Sequence, residues 1–312
     1  MSLVLRRPLI ALSHNRQLQD LIVGFPISRR MARRFVAGES LPEAIDVIKQ
    51  VNARGLLATI DYLGENVFME GESRVNADEY VRILQAIDDS NVNANVSIKL
   101  TAMGLAIDDG LCYENVRLIV QWAAELGNSV RIDMEDSPVT DRTLAIYRQL
   151  REDFDNVGTV IQSYLFRSQA DVAQLTREGL ANLRLCKGAY DEPPEVAFPR
   201  KGEVDRNLEV LIKAMLEGQS DYDGTYVAVA SHDHAIINWT KAFAFHRGIT
   251  PDRFEFQMLY GIRRDLQQAL VDQGYRMRVY IPYGTAWYPY FMRRLAERPA
   301  NLLFFLRALM GD

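Results

Sequence analysis

The 312-residue chain predicts an α/β fold: a (β/α)8 barrel of the TIM type with additional helices at its N-terminus. Three observations carry that expectation. From residue 56 onward, short β-branched or apolar runs alternate with longer helical stretches, the pattern of βαβ units around a parallel sheet. Eight such runs can be counted. A barrel of typically about 250 residues plus flanking helices also fills the chain. Pattern alone leaves an open doubly wound sheet as the alternative.

In chain order the runs are "GLLATIDYL", "NANVSIKL", "SVRIDME", "TVIQSY", "LRLCKGAY", "TYVAVASHD", "FEFQML" and "RMRVYIPYG". Every gap between them can hold a helix, and the widest, "DEPPEVAFPRKGEVD", reads as a long loop before its helix. Residues 1–55 read as N-terminal helices packed on the barrel and 56–312 as the barrel itself. No linker or low-complexity tract separates the two. A last helix is expected to start at Pro289, with Arg293 and Arg294 one turn in. Cations there oppose the helix dipole unless an anion lies close. The segment "NLLFFLRALM" reads as a helix closing on the barrel, with membrane contact as the minority alternative.

Strand side chains alternate between two faces. In "VSIKL" Ser97 and Lys99 share one face; in "VRIDME" Arg131, Asp133 and Glu135 do. "VIQSY" pairs Gln162 with Tyr164, "LRLCKG" isolates Arg184, and "RVYIP" pairs Arg278 with Tyr280. Barrel interiors are normally filled by branched apolar residues, so a polar interior asks for partners, and a bound polar ligand would provide them. The competing explanation is a salt-bridge network at the barrel floor. Working groups in barrels sit at the C-terminal strand ends, where Lys99, Asp133, Gln162, Lys187, His232 and Tyr280 fall. By strict alternation Lys187 lies on the opposite face from Arg184, so the two share one site only if the strand end bulges or the loop has already begun.

Composition narrows the classes. With 48% apolar and 25% charged residues the chain has an ordinary globular balance, and a net charge of −5 gives no support for nucleic-acid binding. Cys112 and Cys186 have no paired spacing, which favours an intracellular, cytoplasmic protein over a disulfide framework. No apolar run reaches the roughly 18–20 residues that span a bilayer. Residues 1–37 hold seven arginines against one acid, Asp20. They read as surface helices, with a transit peptide or a face for anionic lipid as alternatives.

Neither a Rossmann nor a P-loop glycine motif is present. His232 and His234 in "SHDH" are an H-x-H pair that could ligate a metal and make a hydrolase, but no strand end completes the ligand set. Lys187 could form a Schiff base if neighbouring cations lowered its pKa, which would make a lyase.

Several segments in order carry a more specific message. "RLCKGAY", "RVYIPYG" and "YFMRRLAERPAN", with "SIKL", "RIDMED" and "VIQSY" between the ends of the chain, resemble the flavin-dependent proline dehydrogenase family. The resemblance runs from about residue 56 to the C-terminus and is to the short, monofunctional bacterial members. It implies a distorted (β/α)8 barrel with FAD at its mouth. It also implies oxidation of L-proline to Δ1-pyrroline-5-carboxylate by hydride transfer from proline C5 to flavin N5. Electrons would pass to a membrane quinone at a peripheral contact on the inner face of the membrane, and a separate pyrroline-5-carboxylate dehydrogenase would take the product.

On the same resemblance, Lys99, Arg293 and Arg294 hold the substrate carboxylate, Asp133 stands beside them, and Tyr280 packs on the ring. Arg184 lies near flavin N5. Met134, Gln162, Lys187, Gly188, Ala189, Ser231 and His232 match flavin-contacting positions, and Lys201 is matched to the pyrophosphate. Glu297 and Asn301 are assigned to the adenosine side. Pro199 and Val204 stand where some members carry threonines. Glu65, after the first strand, is placed to close over the site by pairing with Arg293. Hydroxyproline is the alternative substrate.

Overall fold

The computed structural model describes residues 31–219 and 224–297, with only the backbone given for 295–297. Its strands are β1 (Leu57–Tyr62), β2 (Ala94–Ile98), β3 (Val130–Ile132), β4 (Val157–Gln162), β5 (Asn182–Cys186), β6 (Tyr226–Ala230), β7 (Phe254–Leu259) and β8 (Arg276–Tyr283). They pair in parallel in that order and close, β8 returning to β1 with Leu57 opposite Arg278 and Tyr62 opposite Tyr283. The open sheet is thereby excluded.

The helices are α1 (Leu41–Asn52), α2 (Glu70–Asp89), α3 (Asp109–Glu125), α4 (Ser137–Asp153), α5 (Ser168–Arg177), α6 (Lys201–Gly218), α7 (His234–His246), α8 (Arg264–Asp272) and α9 (Trp287–Glu297). Among the described residues α1 precedes β1, and each strand from β1 onward is followed by a helix. Ser40 opens α1 by donating its amide to Glu43 at 3.1 Å, half of a capping box. The outer faces of the strands, Ile60, Val96, Ile98, Leu183, Leu185, Val229 and Ile281 among them, are fully buried under the helices.

Contacts between strands that are not neighbours must cross the barrel interior. Arg184 on β5 reaches Ser97 on β2 at 3.2 Å, and Arg278 on β8 reaches Asn95 on β2 at 3.0 Å. The interior is therefore polar, as alternation predicts, but it has two tiers.

At the floor, Arg278 pairs with Glu255 at 2.8 Å and donates to the Ala58 carbonyl. Arg131 donates to the carbonyls of Thr159 and Asn182, at 2.9 and 2.6 Å. These two arginines are satisfied by protein groups. The salt-bridge network offered as the competing explanation is therefore present at the floor, below a second polar tier that lines the cavity at the mouth.

α9 begins at Trp287, two residues earlier than expected. Arg293 and Arg294 thus sit nearly two turns in, beyond the first turn where the dipole acts. Trp287, Tyr288 and Phe291 bury against Phe35, Val36 and Ile262, and this apolar cluster holds α9 across the mouth.

Candidate functional site

A cavity of about 860 Å³ opens at the C-terminal ends of the strands, within the range of small-molecule and cofactor sites. Every residue named for the site up to Arg294 lines it. The side chain of Glu297, and Asn301 altogether, lie outside the described residues, as do residues 1–30 and the "NLLFFLRALM" segment.

Its inner wall is a charged cluster. Lys99, at the end of β2, reaches Asp61 of β1 at 3.0 Å and Asp133, just after β3, at 3.3 Å. Arg184 of β5 binds the other oxygen of Asp133 at 2.7 Å, and Ser97 donates to that same oxygen at 2.6 Å. Tyr280 of β8 donates to Asp133 at 2.8 Å and accepts from Lys99 at 3.2 Å. Its ring lies beneath the Arg184 guanidinium, 5.3 Å from the centroid, a cation–π arrangement. Burial alone would discharge Lys99. Asp61, Tyr280, Asp133 and Glu65 outweigh it and hold the ammonium well above its usual pKa. Burial pushes Asp61 up despite Lys99, whereas Lys99 and Arg184 together overcome burial and hold Asp133 below the usual carboxylate range.

One donor of this cluster has no acceptor. Arg184 Nη2 is buried and meets no hydrogen-bond partner among the described residues. A buried guanidinium N–H is costly to leave unmade, so this wall is shaped for a ligand that brings an acceptor.

Opposite lies α9. Arg293 donates through both Nη atoms to Glu65, at 2.8 and 3.2 Å, as its position after the first strand suggested. Burial is outweighed by Glu65, which holds the Arg293 guanidinium above its already high pKa. Arg294 is buried, with its guanidinium carbon 5.0 Å from the centroid of the Tyr290 ring.

The outer wall is built by the turns after β4, β5 and β6. Gln162 donates to the carbonyls of Met134 and Glu135 and accepts from the Ala189 amide, so it ties three turns together. β5 ends at Cys186, so Lys187 already belongs to the loop and escapes the alternation that put it opposite Arg184. Gly188 has φ +116°, and a Cβ there would lie 2.4 Å from Tyr164 Cδ1, so no side chain fits. The Ser231 hydroxyl accepts from the Asp233 amide, and His232 Nε2 accepts from the Leu259 amide at 3.0 Å. Lys201 opens α6, exposed, and pairs with Asp205 and Asp233.

Two alternative chemistries lose ground. Lys187 sits 2.6 Å from Asp205 and 2.9 Å from Asp233, anions rather than the cations that activate an amine nucleophile. The His234 ring contacts the Arg263 guanidinium, while His232 is engaged with backbone. Among the described residues no group of three or more His, Cys, Asp or Glu is placed to hold a metal ion.

Sequence reasoning passed over several participants. Asp61 is 1% exposed and anchors Lys99; it lies in "TIDYL", on the same face as Thr59, where alternation would have found it. Gln257 accepts from Arg184 Nε and shares a face with Glu255 in "FEFQML", where alternation would also have found it. Asp233, which joins Lys187 to Lys201, carried no local signal.

Comparison with known proteins gives a consistent result. A profile of the family described as Proline dehydrogenase matches residues 44–307. The chain is 44% identical to Proline dehydrogenase 1 of Bacillus subtilis (strain 168) over 98% of this chain and 99% of that protein. It is 42% identical to the proline dehydrogenase of Deinococcus radiodurans over 90% of each. Among solved structures, proline utilization A (PutA) from Bdellovibrio bacteriovorus, inactivated by N-propargylglycine, superposes with a TM-score of 0.81 at 29% identity over 86% of this chain. The chain spans 32% of the length of that protein.

Proposed function

Since the chain belongs to the proline dehydrogenase family, we propose that it oxidises L-proline to Δ1-pyrroline-5-carboxylate with FAD bound at the barrel mouth, electrons passing on to a membrane quinone. Arg184 carries the reading. Its unpartnered Nη2 stands in the cavity wall beside the Lys99–Asp133–Tyr280 cluster, where an isoalloxazine ring would supply an acceptor.

The residues present fit that cofactor. Gly188, Ala189, Gln162, Ser231, His232 and the backbone at Met134 would enclose its ring and ribityl chain, while Lys187 and Lys201 would face its phosphates. Glu297 and Asn301 are assigned to the adenosine. When bound, FAD supplies a two-electron acceptor for the hydride that leaves proline C5, reaching flavin N5.

The chain's own work is placement. Arg293, Arg294 and Lys99 hold the substrate carboxylate, for which paired guanidinium groups are well suited. Tyr280 lies against the ring, and Asp133 fixes Tyr280, Lys99 and Arg184 relative to one another. Glu65, gripping Arg293, closes the site from water. The amine must be neutral for its lone pair to assist hydride departure, and a cation beside it, such as Arg184, disfavours its protonated form.

The barrel from residue 56 onward is the catalytic unit of this reading, with α1 packed on β1 and β8. No helix of the described residues is long and apolar enough to cross a membrane; the reading places the protein in the cytoplasm, with a peripheral contact to the membrane that holds the quinone. A separate pyrroline-5-carboxylate dehydrogenase would consume the product. The experiment is direct: the purified protein is expected to carry a flavin absorption band that bleaches anaerobically on addition of L-proline. A colourless protein, or a band indifferent to L-proline, would overturn the reading.

A further inference from the structure

Thr101 lies in the 3₁₀ turn that follows Lys99 and is held from two sides. Its amide and hydroxyl donate to the two carboxylate oxygens of Glu135, at 3.0 and 2.5 Å. Its hydroxyl oxygen accepts from the Asn66 amide at 3.3 Å, and its carbonyl accepts from the Val67 amide at 3.1 Å. Asn66 and Val67 directly follow Glu65, the partner of Arg293. The other end of this loop is tied at Leu63, whose amide donates to the Tyr283 carbonyl at 2.8 Å. Gly64 and Glu65 alone lie between the two ties. Asn66 has φ +58°, a conformation a non-glycine residue keeps only where its surroundings enforce it.

A threonine hydroxyl has one proton and two lone pairs, and an ionised carboxylate can only accept. Glu135 in its charged form therefore takes the Thr101 proton and leaves the oxygen's lone pairs for the Asn66 amide. A neutral Glu135 carries a proton of its own, which competes with Asn66 for that oxygen. Glu135 is itself 3% exposed and touches none of the groups assigned to substrate through its carboxylate.

We propose that Glu135 is a positioning residue for the Glu65–Arg293 latch, acting through the Thr101 hydroxyl, so that loss of its negative charge loosens the loop and speeds ligand escape. This deepens the proline-oxidation reading and rests on it for what the latch retains. Burial raises the Glu135 carboxyl to about 7, against the two hydrogen bonds from Thr101. The charged and titratable groups facing it are Glu65 from the loop after β1, Lys99 from the end of β2, Cys112 from α3 and Tyr190 from the loop after β5. Glu65 pushes it further up, and Lys99 pulls it down.

The test uses the flavin-loaded protein across neutral pH. Amide hydrogen exchange at Asn66 and Val67, corrected for its intrinsic pH dependence, is followed beside the dissociation rate of tetrahydrofuran-2-carboxylate, a proline-shaped acid that lacks the amine. Both are expected to accelerate in the parent as pH falls through about 7. In Glu135→Gln and Thr101→Val both should be fast at every pH, by about tenfold, as expected for a lost hydrogen bond to a charged group. Thr101→Ser should restore the parent behaviour, and exchange in β4 should be the same in all four proteins.

Slow exchange at Asn66 and Val67 in Glu135→Gln would overturn the proposal. So would a pH step that survives that substitution, or a serine variant that behaves like the valine one. If the acid binds to none of the proteins while Asn66 exchange follows the expected pattern, the proline reading falls and the positioning role of Glu135 stands.

Discussion

Lys99 holds both oxygens of Asp61, at 3.0 and 3.1 Å, and reaches Asp133 only at 3.3 Å. Asp61 is in turn held by the Tyr80 hydroxyl at 3.2 Å. The lysine at the heart of the mouth is thus anchored from behind, by a carboxylate that among the described residues pairs with no other cation. Removing one partner of a buried pair leaves the other uncompensated. Asp61→Asn is expected to lower unfolding free energy by about 3 kcal/mol in a denaturant titration. The double variant Asp61→Asn/Lys99→Met should lose clearly less than the sum of the two single changes. Additive losses would show that the pair is not coupled.

Tyr280 is fixed at three points: its hydroxyl by Asp133 and Lys99, its ring by Arg184. With the substrate ring placed against Tyr280 as proposed, a ring hydroxyl would meet an aromatic face held in place from three sides. Tyr280→Ser would supply space and a polar partner, and the ratio of kcat/KM for 4-hydroxyproline over L-proline is expected to rise about tenfold. An unchanged ratio rejects the packing argument.

Glu135 makes stability depend on pH in an identifiable window. Its carboxyl rises on folding from the ordinary 4.5 to about 7. Between those values the folded chain retains a proton that the unfolded chain has released, so the contribution of this group falls as pH rises and is flat beyond about 7. Glu135→Gln removes that slope. Relative to the parent, the variant should gain up to about 3 kcal/mol across the window, measured as denaturation midpoints at a series of pH values. A difference that does not change with pH would refute the assignment.

Glu255 belongs to the floor, where burial is outweighed by Arg278 and the carboxyl stays below its usual pKa. Glu255→Gln strands Arg278 and is expected to cost about 3 kcal/mol of stability, with KM for L-proline unchanged. A shift in KM without a loss of stability would mean that the floor and the mouth are one unit.

The same distinction explains what could be read in the sequence. Periodicity located all eight strands because a closed parallel barrel buries one apolar face of each under a helix, a constraint written into alternate residues. Alternation also identified the polar interior. It assigns a face and not a height, and height follows from strand tilt and stagger. That is why Arg131 and Arg278 looked equivalent to Arg184 although they bond to the floor. Lys187 turned on a related point: where a strand stops depends on its neighbours, and β5 stops one residue before it, so of the two ways left open for it to share a wall with Arg184 the loop has already begun. The start of α9 at Trp287 instead of Pro289 reflects an apolar seam with Phe35 and Ile262 that has no local signature. Glu65 and Arg293 lie 228 residues apart, and only the topology, by placing both at one rim, made their meeting foreseeable.

The ionic floor has a consequence for how such a barrel changes over generations. Arg278 pairs with Glu255, and Arg131 is held by the strand carbonyls of Thr159 and Asn182. The floor is therefore satisfied by protein groups whatever ligand the mouth takes, with Gln257 the link from Glu255 up to Arg184. Substrate preference can drift by substitution at Tyr280 or in the loops while the tolerance of the scaffold to mutation stays nearly constant. Lineages of this chain should therefore diversify from the top downward, keeping the basement and rebuilding the doorway.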